Sequence, residues 1–407
     1  MIHKTKYIAL LFTLLSLNSV LAQEIKDTPT DFPKTLVLKG EALKQNYQLI
    51  SANDFEKTKA LKTLLGKADK ILKEAKLYSV MNKKQVPPSG DKHDYMSTGP
   101  YWWPDPTKPD GLPYIRKDGL RNPTYYDISD TQELDRMKAD TEALALAYYF
   151  TKEDKYAKYA SRLIQTWFLD VTTRQNPNLN YGQGIPGRNS GRGIGIIETR
   201  GLFQVIDAAI LLQESESWTK DKHQALQKWF SDYLVWLTQS PIGKDEANEH
   251  NNHGTHYSVQ VIDYALFTGQ PEIVTSEIEI FKNRMESQIK ADGSQPFELE
   301  RTKSWDYVNM NLDGYFLVAQ LAENSAINLW QYETKQGITM KNCLDWMVPY
   351  LKNEKKWSYE QIKNIGYKET IRLLKIASKK YSDSDYDALA KAIDIKTDQS
   401  DMNQLTF

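Results

Sequence analysis

Three of the six histidines in the chain fall in Glu249-His250-Asn251-Asn252-His253-Gly254-Thr255-His256. Imidazoles grouped in this way suit metal binding or acid–base work near neutral pH. Spacing by three keeps them within one arc of a helix, which would suit zinc. However, HExxH is absent and Asn-Asn-His-Gly is a poor helix interior, so no metal is expected. A helix cap at Asn252, before the apolar run Tyr257 to Leu266, accounts for an asparagine but not for two neighbouring imidazoles. A loop-to-helix junction can also aim an amide and an imidazole into a cleft.

A second cluster, Glu298-Leu299-Glu300-Arg301-Thr302-Lys303-Ser304-Trp305-Asp306-Tyr307, again precedes an apolar run. Its plain reading is a Ser304 cap among solvated charges; its chemical reading is a phenol flanked by cations. The loop Asn180 to Gly193 carries Tyr181, Gln183, Arg188 and Arg192 among five glycines. It lacks the Gly-Lys-Ser/Thr ending of a phosphate loop and any βαβ context, so recognition of anionic sugars is the better expectation. Tyr101, Trp102 and Trp103 stand in tandem, as core residues or as walls against which sugars stack.

These residues resemble the alginate lyase domain family, most closely its polysaccharide lyase family 38 branch. The resemblance rests on Asn251-Asn252-His253, the segment ending at Tyr307, Gly-Pro-Tyr-Trp-Trp-Pro-Asp-Pro at 99–106, and Asn-Tyr-Gly-Gln-Gly-Ile-Pro-Gly at 180–187. It extends from about Leu72 to Lys352, and four motifs in order are more specific than any one. The resemblance implies an (α/α) toroid, an incomplete barrel of helical hairpins. It also implies β-elimination on a uronic-acid polymer such as alginate, leaving unsaturated uronate ends, without a cofactor.

Such a lyase must neutralise the uronate carboxylate, remove the C5 proton, and protonate the departing O4. By the family pattern Asn252 and Arg301 sit near the carboxylate with His253 adjacent. Donors that strengthen their hold as the enolate-like anion forms lower the barrier. Tyr307 protonates O4 and, where proton and leaving group share a face, takes the proton too. For that its pKa must fall below about 10, and Arg301 or Lys303 could lower it. His253 suits the base on the opposite face. Arg301 stands one residue nearer its tyrosine than the arginine of another lyase family does, which makes Arg200 the reserve. Tyr101, Trp102, Trp103, Tyr181, Gln183, Arg192, Arg200, His256 and Lys303 are the expected substrate-binding set, with His256 alternatively supporting the site from behind.

Helices must place these junctions. Apolar residues recur at three and four over Asp54 to Leu77, Gln132 to Phe150, Lys155 to Phe168, Ile196 to Leu212, Lys220 to Leu237, Gly254 to Phe267, Val274 to Ile289, Trp305 to Ala326, Cys343 to Leu351 and Glu369 to Ala377. No stretch alternates as a strand would, so the chain reads as all-α. Lys34 to Gln45 reads as a leading helix or an extended arm. Two long segments, Val86 to Asp130 and Asn176 to Gly195, interrupt the hairpins. Their aromatic, Gly and Asn content marks them as walls of a cleft.

Composition bounds the rest. With 52 Lys and Arg against 53 Asp and Glu, and a net charge of -1, no global field marks a nucleic-acid or membrane-surface binder. Basic residues, the apolar run Tyr7 to Leu17 and small residues up to Ala22 read as a cleavable signal peptide over 1–22, too short to span a bilayer. A periplasmic or secreted protein of one domain, 23–407, acting as a monomer, is expected. Cys343, the lone cysteine, is expected in the core, with no disulfide framework or lipid-bearing cysteine.

Three other functions compete. A lyase for glucuronan would use the same chemistry. An inverting glycoside hydrolase would need two carboxylates flanking the sugar, and Glu198, Asp245, Glu246 and Glu298 are available. A non-catalytic sugar binder would need the aromatic loops but not the Asn, His and Tyr combination.

Overall fold

A computed structural model describes residues 32–397 and 405–406; the expected leader over 1–22 lies outside them. Helical periodicity becomes a series of hairpins: α1 (Gly40–Ser51), α2 (Phe55–Glu74), α3 (Asp130–Thr151), α4 (Asp154–Ile164), α5 (Phe203–Leu211), α6 (Lys220–Gln239), α7 (Pro241–Ala247), α8 (Asn252–Phe267), α9 (Pro271–Gln288), α10 (Pro296–Leu299), α11 (Ser304–Ala322), α12 (Met340–Leu351), α13 (Lys368–Lys380) and α14 (Ser384–Thr397). Helices α3, α5, α8, α11 and α13 pack in succession, while α2, α4, α6, α9 and α14 lie against them. This is the incomplete (α/α) toroid.

Burial separates the two layers. In α8, 14 of 16 residues are buried, and in α11, 15 of 19. In α2 only 4 of 20 are, so a narrow apolar stripe suffices there. A helix enclosed on all sides that still carries Asn, His, Gln and Asp is expected to satisfy those groups internally, yet among the described residues Asn252 Oδ1, His256 Nδ1, both Asp263 carboxyl oxygens and Asn311 Oδ1 have no hydrogen-bond partner. One apolar cluster runs from Val37 to Leu405 and includes fully buried Cys343.

Several expectations need correction. Ile196 to Leu212 is not one helix but a 3-10 segment, Gly193–Thr199, followed by α5. Glycines weaken helix continuity, and Gly195 packs against backbone: a Cβ there would lie 2.4 Å from the Gly182 carbonyl carbon. Asn251, not Asn252, caps α8, accepting from the His253 N–H at 2.9 Å. Ser304 caps nothing. Its hydroxyl instead donates to the Glu360 carbonyl at 2.7 Å and accepts from Trp357 Nε1 at 3.0 Å. The leading segment is both arm and helix: the Leu36, Val37 and Leu38 amides all donate to Asp207 before α1 begins.

The two irregular segments hold the strands. β1 (Met96–Thr98) pairs in parallel with β4 (Tyr181–Gly184), while β2 (Trp102–Trp103) pairs antiparallel with β3 (Ile115–Arg116). The two proposed cleft walls are thus hydrogen-bonded to one another.

Burial raises a set of carboxyls: Asp130 and Asp207 to about 6, Glu142, Glu198 and Glu298 to about 7, and Glu246, Glu277 and Asp263 above their ordinary range. Each holds its proton more tightly folded than unfolded, where a carboxyl titrates near pH 4. The folded state therefore loses stability as pH rises from about 4 to 7. His256, pushed down to about 3 by burial and by Arg200, and His223, pushed down by burial, act in the opposite sense but are fewer. The melting temperature should fall between pH 5 and pH 8; a melting temperature that rises over that interval would show these buried acids to be ionised at little cost.

Candidate active site

The two chemical clusters meet at Glu298 on α10. Its carboxylate accepts the Asn252 backbone N–H at 2.6 Å and Asn252 Nδ2 at 2.7 Å. This contact joins the start of α8 to the approach to α11. Capping by Asn251 leaves the Asn252 side chain out of the helix cap; the residue is fully buried, and its Oδ1 has no hydrogen-bond partner among the described residues. Burial pushes Glu298 up, against the opposing pull of Asn252, Arg301 and His253.

His253 is oriented from behind. Its Nδ1 lies 2.8 Å from Glu246 Oε1 on α7, and the imidazole keeps 13% of its surface exposed while Glu246 keeps none. With Nδ1–H donated to Glu246, Nε2 carries the lone pair, the tautomer a base requires. The remaining imidazoles go elsewhere. His250 packs edge-on to Phe297 at 4.5 Å, and buried His256 directs Nε2 to the Met310 carbonyl at 3.0 Å. His256 is 1% exposed, which corrects its place in the binding set: of its two expected roles only support from behind remains.

Tyr307, one turn into α11, is half-buried. Its hydroxyl accepts from Arg301 Nη2 at 2.8 Å and donates to Tyr101 Oη at 3.1 Å, and the guanidinium lies 3.9 Å from its ring centroid. The expected lowering of its pKa does not occur. Burial, then Tyr101, raise the phenol above its ordinary value, and the opposing pull of Arg301 is smaller. Tyr307 therefore holds its proton throughout the neutral range. Lys303 is 8% exposed with Nζ 5.1 Å from the Tyr101 ring, so it meets Tyr101 rather than open cleft.

The wall residues divide. Gln183 takes a positive φ of 47°, donates its amide to Ser97 Oγ at 2.7 Å, and accepts Arg192 through its carbonyl and side-chain oxygens, both at 3.1 Å. Arg188 and Arg192 stand 5.1 and 5.8 Å from the Trp102 ring centroid, and Lys117 stands 5.0 Å from Trp103. These indoles therefore hold cations. Tyr181 is half-buried on β4. Arg200 is exposed, its Nη1 donates to the Ile197 carbonyl, and among the described residues it has no carboxylate partner. Its charge reaches His256, one helical turn from Asn252.

The carboxylates that a hydrolase would need are committed. Glu246 holds His253 and Glu298 holds Asn252. Glu198 accepts Ser97 and Tyr95 at 2.7 and 2.8 Å, and Asp245 accepts the Gly193 amide at 3.1 Å. Glu198, Glu246 and Glu298 are at most 7% exposed, so no pair of them flanks a sugar. Asp118 is the residue that sequence reasoning missed. It joins an Asp-Gly turn, a local signal, to Arg301, 183 residues away.

The alginate lyase family model matches residues 79–357. The crystal structure of an alginate lyase from Bacteroides ovatus is 36% identical with a TM-score of 0.87, covering 92% of this chain and 99% of that one. Alginate lyase A1-III from Sphingomonas species A1 is 15% identical with a TM-score of 0.56, covering 85% and 90%. A histidine-to-alanine variant of A1-III complexed with a tetrasaccharide matches at 15% identity and a TM-score of 0.57, covering 87% and 90%. At that identity the A1-III matches speak for the toroid alone. Comparison with curated protein sequences finds no match.

Proposed function

The chain belongs to the alginate lyase family, and from that premise we propose that it cleaves alginate by β-elimination at the junction of α8 and α11. The observation that carries this reading is the Arg301–Tyr307 contact beside the Asn252–Glu298 contact. Asn252, fully buried in the free protein, meets the uronate carboxylate through Nδ2 once substrate fills the cleft, and Arg200 is the cation open to it. Their hydrogen bonds and charge stabilise the anion that forms when the C5 proton leaves. His253 Nε2 takes that proton when it lies opposite O4, and its Nδ1–H bond to Glu246 stabilises the imidazolium that results. Tyr307, protonated beforehand, gives its proton to O4, and the C4–O4 bond breaks as the C4–C5 double bond forms. Where proton and O4 share a face, Tyr307 must first lose its proton, and burial opposes that step.

Tyr101, Trp102, Trp103, Tyr181, Gln183, Arg192 and Lys303 line or brace the cleft for the neighbouring sugars. The four sequence motifs favour the family 38 branch. The basic and apolar start of the chain favours export to the periplasm or medium, and action as a monomer fits one complete site per chain. Alginate, polymannuronate, polyguluronate and glucuronan, supplied separately, test the reading. Ultraviolet-absorbing unsaturated product is expected from at least one of the three alginate-type substrates. Absorbing product from glucuronan alone would move the substrate, and saturated reducing ends alone would replace elimination by hydrolysis.

A further inference from the structure

Arg301 is not a free cation. Asp118, on the segment between β3 and α3, accepts Arg301 Nη2 at 2.9 Å and Nε at 3.2 Å. It also accepts the Thr302 amide at 3.3 Å, the Thr302 hydroxyl at 3.1 Å, and Arg116 Nη2 at 2.7 Å. Although burial pushes the Asp118 carboxyl up, Arg301 and then Arg116 hold it well below the usual carboxylate range, so it is ionised at every working pH. The next residue, Gly119, has φ +73°, and a Cβ there would lie 2.3 Å from Thr302 Oγ1. The close approach of this loop to the Arg301–Thr302 turn therefore requires glycine.

Arg301 Nη2 is shared: it donates to Asp118 Oδ1 and to Tyr307 Oη. A guanidinium presents its donors in a rigid planar fork, so anchoring one edge fixes where the others point. Resting on the lyase reading above, we infer that Asp118 is a positioning residue of the elimination. It neutralises Arg301 and aims its guanidinium at the Tyr307 hydroxyl, so that Arg301 serves the proton donor and the uronate carboxylate is met by other groups. The segment Val86 to Asp130 thereby supplies part of the catalytic assembly as well as a cleft wall.

Asp118→Asn keeps the shape and removes the charge, on a loop outside the helical layers, so the toroid should fold; Asp118→Ala is the second variant. Misplacing a reacting group by about 1 Å costs on the order of 10²-fold. On alginate both variants should lose about that much kcat with little change in KM. The second readout needs no substrate: NMR titration of isotope-labelled tyrosine, with the Tyr307 signal identified by its loss in Tyr307→Phe. Removing the Asp118 charge while Arg301 stays should move Tyr307 to a lower titration point, which a purely structural loop contact would not do. Wild-type kcat in both variants, or an unmoved Tyr307 titration, would overturn the inference. If the wild-type protein yields no unsaturated product from any polyuronate, the lyase reading fails, and the titration still decides whether Asp118 acts on Tyr307 through Arg301.

Discussion

Replacing Tyr307 by phenylalanine should lower kcat on alginate by about 10²- to 10⁴-fold, the range a positioned general acid contributes. The change removes one oxygen and almost no volume. It leaves Arg301 anchored on Asp118 and Tyr101 half-buried, where water can replace the lost partner. The melting temperature should therefore move little. The loss belongs to the chemical step, so KM should change far less than kcat. Same-face cleavage, which uses Tyr307 for both proton transfers, should suffer at least as much as opposite-face cleavage. Steady-state rates on polymannuronate and polyguluronate, together with a thermal melt, check this. A variant retaining near-normal turnover on both polymers would remove Tyr307 from the reaction.

The second large effect is expected at Asn252. Asn252→Ala removes a donor from the site where the enolate-like anion develops, a loss of about 10²- to 10³-fold in kcat by analogy with single oxyanion-hole donors. It also takes one of the two Asn252 hydrogen bonds from buried Glu298. A buried group left short of a partner costs about 1–3 kcal/mol, so the melting temperature should fall as well. The neighbouring cap separates the two effects. Asn251→Ala loses an N-cap worth about 1 kcal/mol and should lower stability similarly while affecting kcat much less. If the two variants had the same kcat, the role given to Asn252 would reduce to helix stability.

The helices and the two junctions were legible because each chemical cluster stands immediately before an apolar run of helical period. Other features depend on what encloses a residue. Adjacent asparagines at 251 and 252 offer two caps, and only the position of Glu298 decides which one turns inward. Spacing by three suggested a common face for His253 and His256, yet α8 is enclosed nearly all round, so His256 ends against Met310. The Tyr307 phenol was expected to be acidified by nearby cations. Burial outweighs them, and Asp118, which offsets Arg301, arrives from a loop that no local pattern connects to it. The break between Gly193–Thr199 and α5 was not legible in the apolar spacing of Ile196 to Leu212, because the contact of Gly195 with Gly182 that goes with it is tertiary.

Elimination rather than hydrolysis is the central claim, and the mass of the oligosaccharides released from alginate tests it most directly. Cleavage without incorporation of water should give products whose non-reducing ends are lighter by one water than those of a hydrolase, together with ultraviolet absorbance that grows in step with them. Products of full hydrolytic mass, carrying no absorbance, would contradict the assignment of His253 and Tyr307 to proton removal and O4 protonation.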